Sequence, residues 1–253
     1  MSHETDATDA TDATGETEDM VARVLGALED HGLLLLTDAR LPSLTTIVAG
    51  GPVRGSWLAH PCGHTIYAVA THVEAHADVT DARLISGKVT YIHRRLWPAL
   101  LGVATAREPW QTRELPLLAA ALLEVVAREG VARTDDLHEY GWTSTKALGE
   151  AARELERRLL VRGESLHTER GSHAKRLETW ERWAVRIGFT ASPLPADTGR
   201  AALEAALAAL TQAAAVAGDD YGRLPWMERR MKGRHGEHEA TPLALDLRAS
   251  HDV

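Results

Sequence analysis

Few residues of this chain are equipped to make or break a covalent bond. Lys88 stands near the head of the run Gly87-Lys88-Val89-Thr90-Tyr91-Ile92-His93. A lysine desolvated beside Tyr91 and Trp97 would lose its proton more easily and could form a Schiff base with an abasic sugar. His93 closes the same run and is the second catalytic candidate. Asp78, Asp81 or Glu108 could activate a water, and spacing singles out none of the three. Ser56 lacks the strand–turn–helix elbow of a nucleophilic serine, and no Gly-rich phosphate loop occurs.

Five histidines, His60, His64, His72, His76 and His93, fall within 34 residues, with Cys62 among them. His72 and His76 would share one helical face. A zinc site asks for paired ligands at short spacing, yet there is no second cysteine and no His-Glu-x-x-His run. Neither a metal nor a cofactor is expected.

Binding of an anion is signalled more strongly. Arg54-Gly55-Ser56-Trp57 is followed by His60, and an exposed Trp beside cations can stack a base while the cations hold phosphates. The alternative reading makes Trp57 and Trp97 core anchors. Farther on, Lys146, Arg153, Arg157, Arg158, Arg162, Arg170, Lys175 and Arg176 accumulate with His167 and His173. Such a cluster could neutralise a phosphate backbone. Glu154, Glu156, Glu164 and Glu169 are interleaved, however, and surface pairs with them would be worth little.

These residues need elements to hold them. Met20, Val21, Val24, Leu25 and Leu28 have helical spacing and stop at Gly32. Leu33–Leu36 reads as a short buried strand, Pro42 opens a helix to Val48, and Ile66, Val69, Ala70 and Val73 give the next helix one apolar face. Strands follow near Val79–Ile85 and Lys88–His93 around a Ser86–Gly87 turn, then a helix from Pro98 to Ala106. The second half changes style. Leu115, Leu118, Leu122 and Val125 make a helix ending at Gly130. Thr134 caps a short helix to Tyr140, and Ser144 or Thr143 caps a third with core residues Leu148, Ala152, Leu155 and Leu159. A hairpin spans Leu160–Thr168 and His173–Leu177. Helices follow at Glu178–Ile187 and 198–217.

The expected fold is α+β and mainly helical: a disordered acidic tail over 1–18, an N-terminal α+β unit over 19–110, a winged helix-turn-helix over 111–190, and a C-terminal helix and flexible tail over 191–253. The Ala/Leu-rich helix 198–217 is either an internal brace or the seam of a homodimer. The net charge of −8 at first argues against nucleic acid, but seven acids lie in residues 1–19 and four in 236–253. Without both ends the body has 25 acids against 27 bases. A basic stretch with Arg223, Arg229, Arg230, Lys232 and Arg234 precedes the acidic end. One cysteine excludes an internal disulfide framework. No apolar run approaches the roughly 20 residues of a membrane span, so a cytoplasmic protein without membrane contact is expected.

The segment from Leu115 to Trp183 resembles bacterial winged-helix DNA-binding domains, a likeness carried by 151–161, 167–169, Gly171 and 173–183. The resemblance implies duplex DNA as partner and a role in DNA repair or transcription regulation. Lys146 would sit at the head of a recognition helix, Arg157 farther along it, and Arg170, His173, Lys175 and Arg176 in the wing. The arrangement behind an α+β first half is also similar to winged-helix DNA glycosylases, which implies, as the alternative, a glycosylase or lyase acting on a damaged base or abasic site. Those enzymes use a Gln-x-Gln pair. The only glutamines here are Gln111 and Gln212. In that alternative Arg54, Trp57, His60, Lys88 and His93 would converge on one pocket.

Overall fold

The computed structural model describes residues 5–137, 141–142, 144–167, 173–214 and 222–227. The fold is α+β, with two small antiparallel sheets of three strands each. The first half contributes α1 (Thr5–His31), β1 (Leu33–Leu35), α2 (Leu44–Ala49), α3 (Gly63–Glu74), β2 (Val79–Arg83), β3 (Val89–His93), α4 (Trp97–Ala104) and α5 (Pro109–Thr112). The second contributes α6 (Leu117–Glu129), β4 (Val131–Arg133), α7 (Thr145–Arg157), β5 (Arg162–His167), β6 (His173–Glu178), α8 (Trp180–Arg186) and α9 (Ala196–Ala213).

The first sheet has order β1-β3-β2 and is covered on both faces. Leu34 and Tyr91 point to a core shared with α1, α2 and α3. Leu33, Leu35 and Ile92 point to another, filled by α4, α9 and the tryptophans of α8. That is why Leu33–Leu35 is apolar at every position: a strand buried on both faces has no solvent side to mark with polar residues. The second sheet, β4-β6-β5, closes a separate core with α6 and α7, in which Leu122, Val126, Leu155 and Leu177 are fully buried.

One of the junctions between the two halves is a buried corner. Gln111 is fully buried, and its amide donates to the carbonyls of Ala104 and Arg158 while its Oε1 accepts from Glu108 N. The Arg158 guanidinium donates back to the carbonyls of Gln111 and Arg113. Next to it, Leu159 takes φ 52°, a left-handed conformation that a branched residue enters at a cost of about 1–2 kcal/mol. Its fully buried side chain lies in the core of the first sheet, whereas Leu160 and Val161 belong to the core of the second. Burial on both sides of the corner offsets the strain.

Two expectations need correction. The acidic tract over 1–18 is helical from Thr5, because Val24 and Leu28 anchor α1 in the core and extending an existing helix is far easier than nucleating one. Thr134 does not cap a helix. Its backbone N–H donates to Lys175 O and its hydroxyl accepts from Lys175 N, so it prolongs the pairing of β4 with β6; residues 138–140 lie outside the described residues. Helix α9 spends its apolar face inside the chain. Leu203 and Leu210 are fully buried, and Gly199 packs so closely on α4 that a Cβ there would stand 2.6 Å from the Ala99 carbonyl oxygen. These leucines serve as an internal brace, the first of the two readings of this helix.

Candidate nucleic-acid interface and the cleft behind it

Helix α7 is pulled inward by Leu148, Ala151, Ala152 and Leu155. Ser144 caps it, its hydroxyl accepting from Ala147 N. On the outward side, Lys146, Glu150, Arg153 and Arg157 repeat at helical spacing and form one exposed stripe. Lys146 and Arg153 have no carboxylate partner among the described residues. Arg157 is held by Glu154 yet keeps half its side chain in solvent. Burial would raise the pKa of Glu154, but hydrogen bonds from Arg158 and Arg157 outweigh it and hold the carboxyl below its ordinary value.

The hairpin behaves differently. Arg162 stands opposite Glu178 and Glu164 opposite Arg176, so opposite charges face each other across the strands. Glu178 is 1% exposed and gathers Arg162, Arg176 and Arg186, with Arg186 at 2.6 Å. On the other face of the hairpin, Lys175 is paired with Glu156 of α7, which also takes Arg83 of β2 at 3.1 Å. Gly163 leaves room for this carboxylate, since a Cβ at that position would fall 1.8 Å from Glu156 Oε1 where the side chain now stands. Lys175 and Arg176, expected to grip nucleic acid, are therefore committed to carboxylates of their own chain. Arg170 lies outside the described residues, and His173 opens β6 opposite His167.

Edge strands β2 and β5 flank a cleft of about 310 Å³. Its wall holds Glu74, Asp81, Glu156 and Glu164 against Arg83, Arg162 and Lys175, with Tyr91 and Trp180 behind. Tyr91 donates its hydroxyl to Glu74 Oε1 at 3.0 Å, and Arg162 reaches Asp81 at 3.3 Å. Loss of hydration raises the pKa of Glu74 above the usual carboxylate range; the Tyr91 hydrogen bond opposes this and the nearby Asp81 charge adds to it. Asp81 is raised for the same reason, with Arg162 opposing. Burial together with Glu74 pushes the Tyr91 phenol far up, so it stays a hydrogen-bond donor. Carboxylates with raised pKa in a cleft are suited to holding and passing a proton.

The candidates of the first half do not converge. Arg54 is exposed, Trp57 is half-buried against the core of α1 and α3, and His60 accepts from Cys62 N through Nδ1. Lys88 meets Asp38 at 2.6 Å and is 46% exposed. It is therefore not the desolvated amine beside Tyr91 and Trp97 that Schiff-base chemistry asks for. Tyr91 is engaged with Glu74, and Trp97 is buried with its indole donating to Ile92 O. His93 accepts from Arg95 N at the far end of β3, roughly 15 Å of extended chain from Lys88. Lys88 and His93 cannot share a proton. Among the described residues no group of three histidine, cysteine, aspartate or glutamate side chains is arranged to hold a metal, and no helix is long and apolar enough to cross a membrane.

Glu74, Glu178 and Trp180 were not singled out as site residues by sequence, and Asp81 entered only as one acid among three. Asp81 and Tyr91 become register partners only through the turn observed between β2 and β3, so their pairing had no signal in the sequence. No protein-family model, curated protein or solved structure matches the chain.

Proposed function

We propose that the chain is a winged-helix protein that binds duplex DNA through the outer stripe of α7, acting in DNA repair or transcription regulation. The observation that carries this reading is the exposed, unpaired pair of cations Lys146 and Arg153 on the outward face of a helix capped by Ser144. Such a face can meet a groove with its N-terminal turn and the flanking phosphates with its bases. The order α6, β4, α7 and hairpin β5–β6 supports it. Because Lys175 and Arg176 are occupied, the contact is small and electrostatic, and its affinity falls with salt on a slope set by the few cations of the stripe. Anisotropy of a labelled duplex over a salt series tests this. Lys146→Ala with Arg153→Ala weakens binding and flattens the slope; unchanged binding, or none at low salt, ends the reading.

The ion pairs of the hairpin favour a second reading, an interaction module that never touches nucleic acid. The two separate on one measurement, since a protein partner held by apolar contact is far less sensitive to salt than DNA held by Lys146 and Arg153. The enzyme alternative, a glycosylase or lyase acting on a damaged base or abasic site, loses its lysine version through the Lys88–Asp38 pair. Borohydride trapping on abasic DNA with equal yield from Lys88→Ala and the parent would close it.

A further inference from the structure

A second cleft, of about 870 Å³, opens at the C-terminal end of α7. Four separate stretches of chain wall it: the turn between β2 and β3, α5 with Arg113 and Glu114 behind it, the last turn of α7, and segment 222–227. The turn and the segment are clipped together, because Ser86 N donates to Arg223 O and Arg223 N donates to Ser86 Oγ. Ser86 at φ 53° and Glu114 at φ 52° both line the cleft, in a left-handed conformation that costs about 1–2 kcal/mol each. The clip and these two positions fix the shape of the wall.

The lining is cationic. Arg113, Arg157, Arg158 and Arg223 stand against Glu114 and Glu154, an excess of two positive charges. Glu154 is committed to Arg157 and Arg158, and Arg158 also donates to the carbonyls of Gln111 and Arg113. Arg157 lies across the turn: a Cβ on Gly87 would stand 3.2 Å from its Cδ, while half its side chain stays in solvent. Arg113 is exposed, and its guanidinium has no carboxylate partner among the described residues.

An independent feature of the same cleft is aromatic. Trp110 and Met227 line it and are only half-buried, with Pro109 exposed beside them. The Trp110 indole N–H is already used on Glu108 at 2.8 Å, and that of Trp226 on Glu204 at 2.7 Å. The two rings pack at 5.7 Å, tilted by 54°. Trp110 is therefore locked by its polar edge and by its neighbour. What it offers a ligand is apolar ring surface, which suits another flat ring.

We propose that this cleft binds a nucleoside monophosphate unit, its base on Trp110 and its phosphate on Arg113 and Arg157. A phosphate monoester carries nearly two negative charges at neutral pH, which matches the excess of the lining. Guanidinium forks are shaped for its oxygens, and an aromatic face stacks any base. Inorganic phosphate alone would leave Trp110, Pro109 and Met227 uncovered, and a nucleoside alone would leave the charge unmet. A free nucleotide and the 5′-phosphorylated end of a DNA strand present the same chemistry. The inference goes beyond duplex binding, because neither Lys146 nor Arg153 lines the cleft.

Calorimetry on the full chain compares adenosine 5′-monophosphate with adenosine, ribose 5-phosphate and inorganic phosphate. Saturable binding of the nucleotide is expected, about tenfold or more tighter than any of the three fragments. Arg113→Gln and Arg157→Gln should each weaken it by about tenfold. Trp110→Leu should bring the nucleotide level with ribose 5-phosphate. Lys146→Ala with Arg153→Ala should leave nucleotide binding unchanged, so a failure of duplex binding and a failure of this site are read apart. A trinucleotide carrying a 5′-phosphate identifies the source: tighter than the free nucleotide, it assigns the cleft to strand ends; weaker, to the free nucleotide. No nucleotide binding, a nucleotide no tighter than its fragments, or affinity unchanged in both Arg113→Gln and Arg157→Gln overturns the proposal. The fragment comparison uses the unaltered chain, so it decides the matter even where a variant fails to fold.

Discussion

The outer face of α7 and the hairpin packed behind it use their charges in opposite ways. Outward, Lys146 and Arg153 stand in solvent with no partner among the described residues. Inward and across the hairpin, Glu156 and Glu178 are nearly buried and bind five cations between them: Arg83, Lys175, Arg162, Arg176 and Arg186. A base count taken from the chain cannot separate these cases. Free cations are available to a polyanion, whereas paired ones hold the hairpin against β2 and α8. The same residue types thus make a binding face on one side and a structural joint on the other.

The sharpest way to break that contrast is at the joint. Glu178→Ala strands three arginines around a buried position and should lower stability by about 3–5 kcal/mol, read as a denaturation midpoint. Duplex affinity per folded molecule should stay as it was. Glu156→Ala releases two cations, Arg83 and Lys175, where Glu178→Ala releases three, so a smaller loss of roughly 2–3 kcal/mol is expected. If Lys175 then reaches DNA, this variant should bind duplex more tightly than the parent, the one case in which destabilisation improves binding. On the outer side the pattern inverts. Lys146→Ala with Arg153→Ala should move stability by no more than about 0.5 kcal/mol. The log–log salt slope of binding should drop by about two.

The smallest effect concerns pH. Glu74 has a raised pKa in the folded chain, so the fold binds its proton more readily than the unfolded chain does. The stability this contributes is complete below the ordinary carboxylate pKa and is lost as pH rises through the higher folded value. Glu74→Gln keeps an acceptor for the Tyr91 hydroxyl and removes the charge. It should be slightly more stable than the parent near neutral pH and show a flatter stability profile above pH about 4.5. A profile identical to the parent's would mean that Glu74 is fully hydrated and that the cleft imposes nothing on it.

Much of the scaffold was legible because apolar spacing reports burial. The strand at Leu33–Leu35 and the helix face Ile66–Val69–Ala70–Val73 follow from it, and the Ser144 cap follows from a hydroxyl at the head of an apolar-periodic run. The cleft was not legible, for reasons of register. A two-residue turn at Ser86–Gly87 would pair Asp81 with Ile92. The observed turn instead leaves Leu84–Lys88 unpaired, with Ser86 at φ 53° and Gly87 at φ 71°, and sets Asp81 opposite Tyr91. A slip of one residue exchanges the two faces of a strand, and with them the neighbours of an acid. The ion pairs between Arg83 and Glu156, 73 residues apart, leave no local trace in the sequence at all.

The left-handed corner at Leu159 gives α7 the mechanics of a clamped beam. Its C-terminal end is fixed by Leu159, Arg158 and Gln111, while its N-terminal end leaves that anchorage by roughly 20 Å of helix. Glu156 sits only about 4–5 Å from the clamp and Lys146 near the tip. Leu148, buried within one turn of Lys146, holds the tip to the core of the second sheet, so the outer stripe and the charges at the root are presented as one rigid unit.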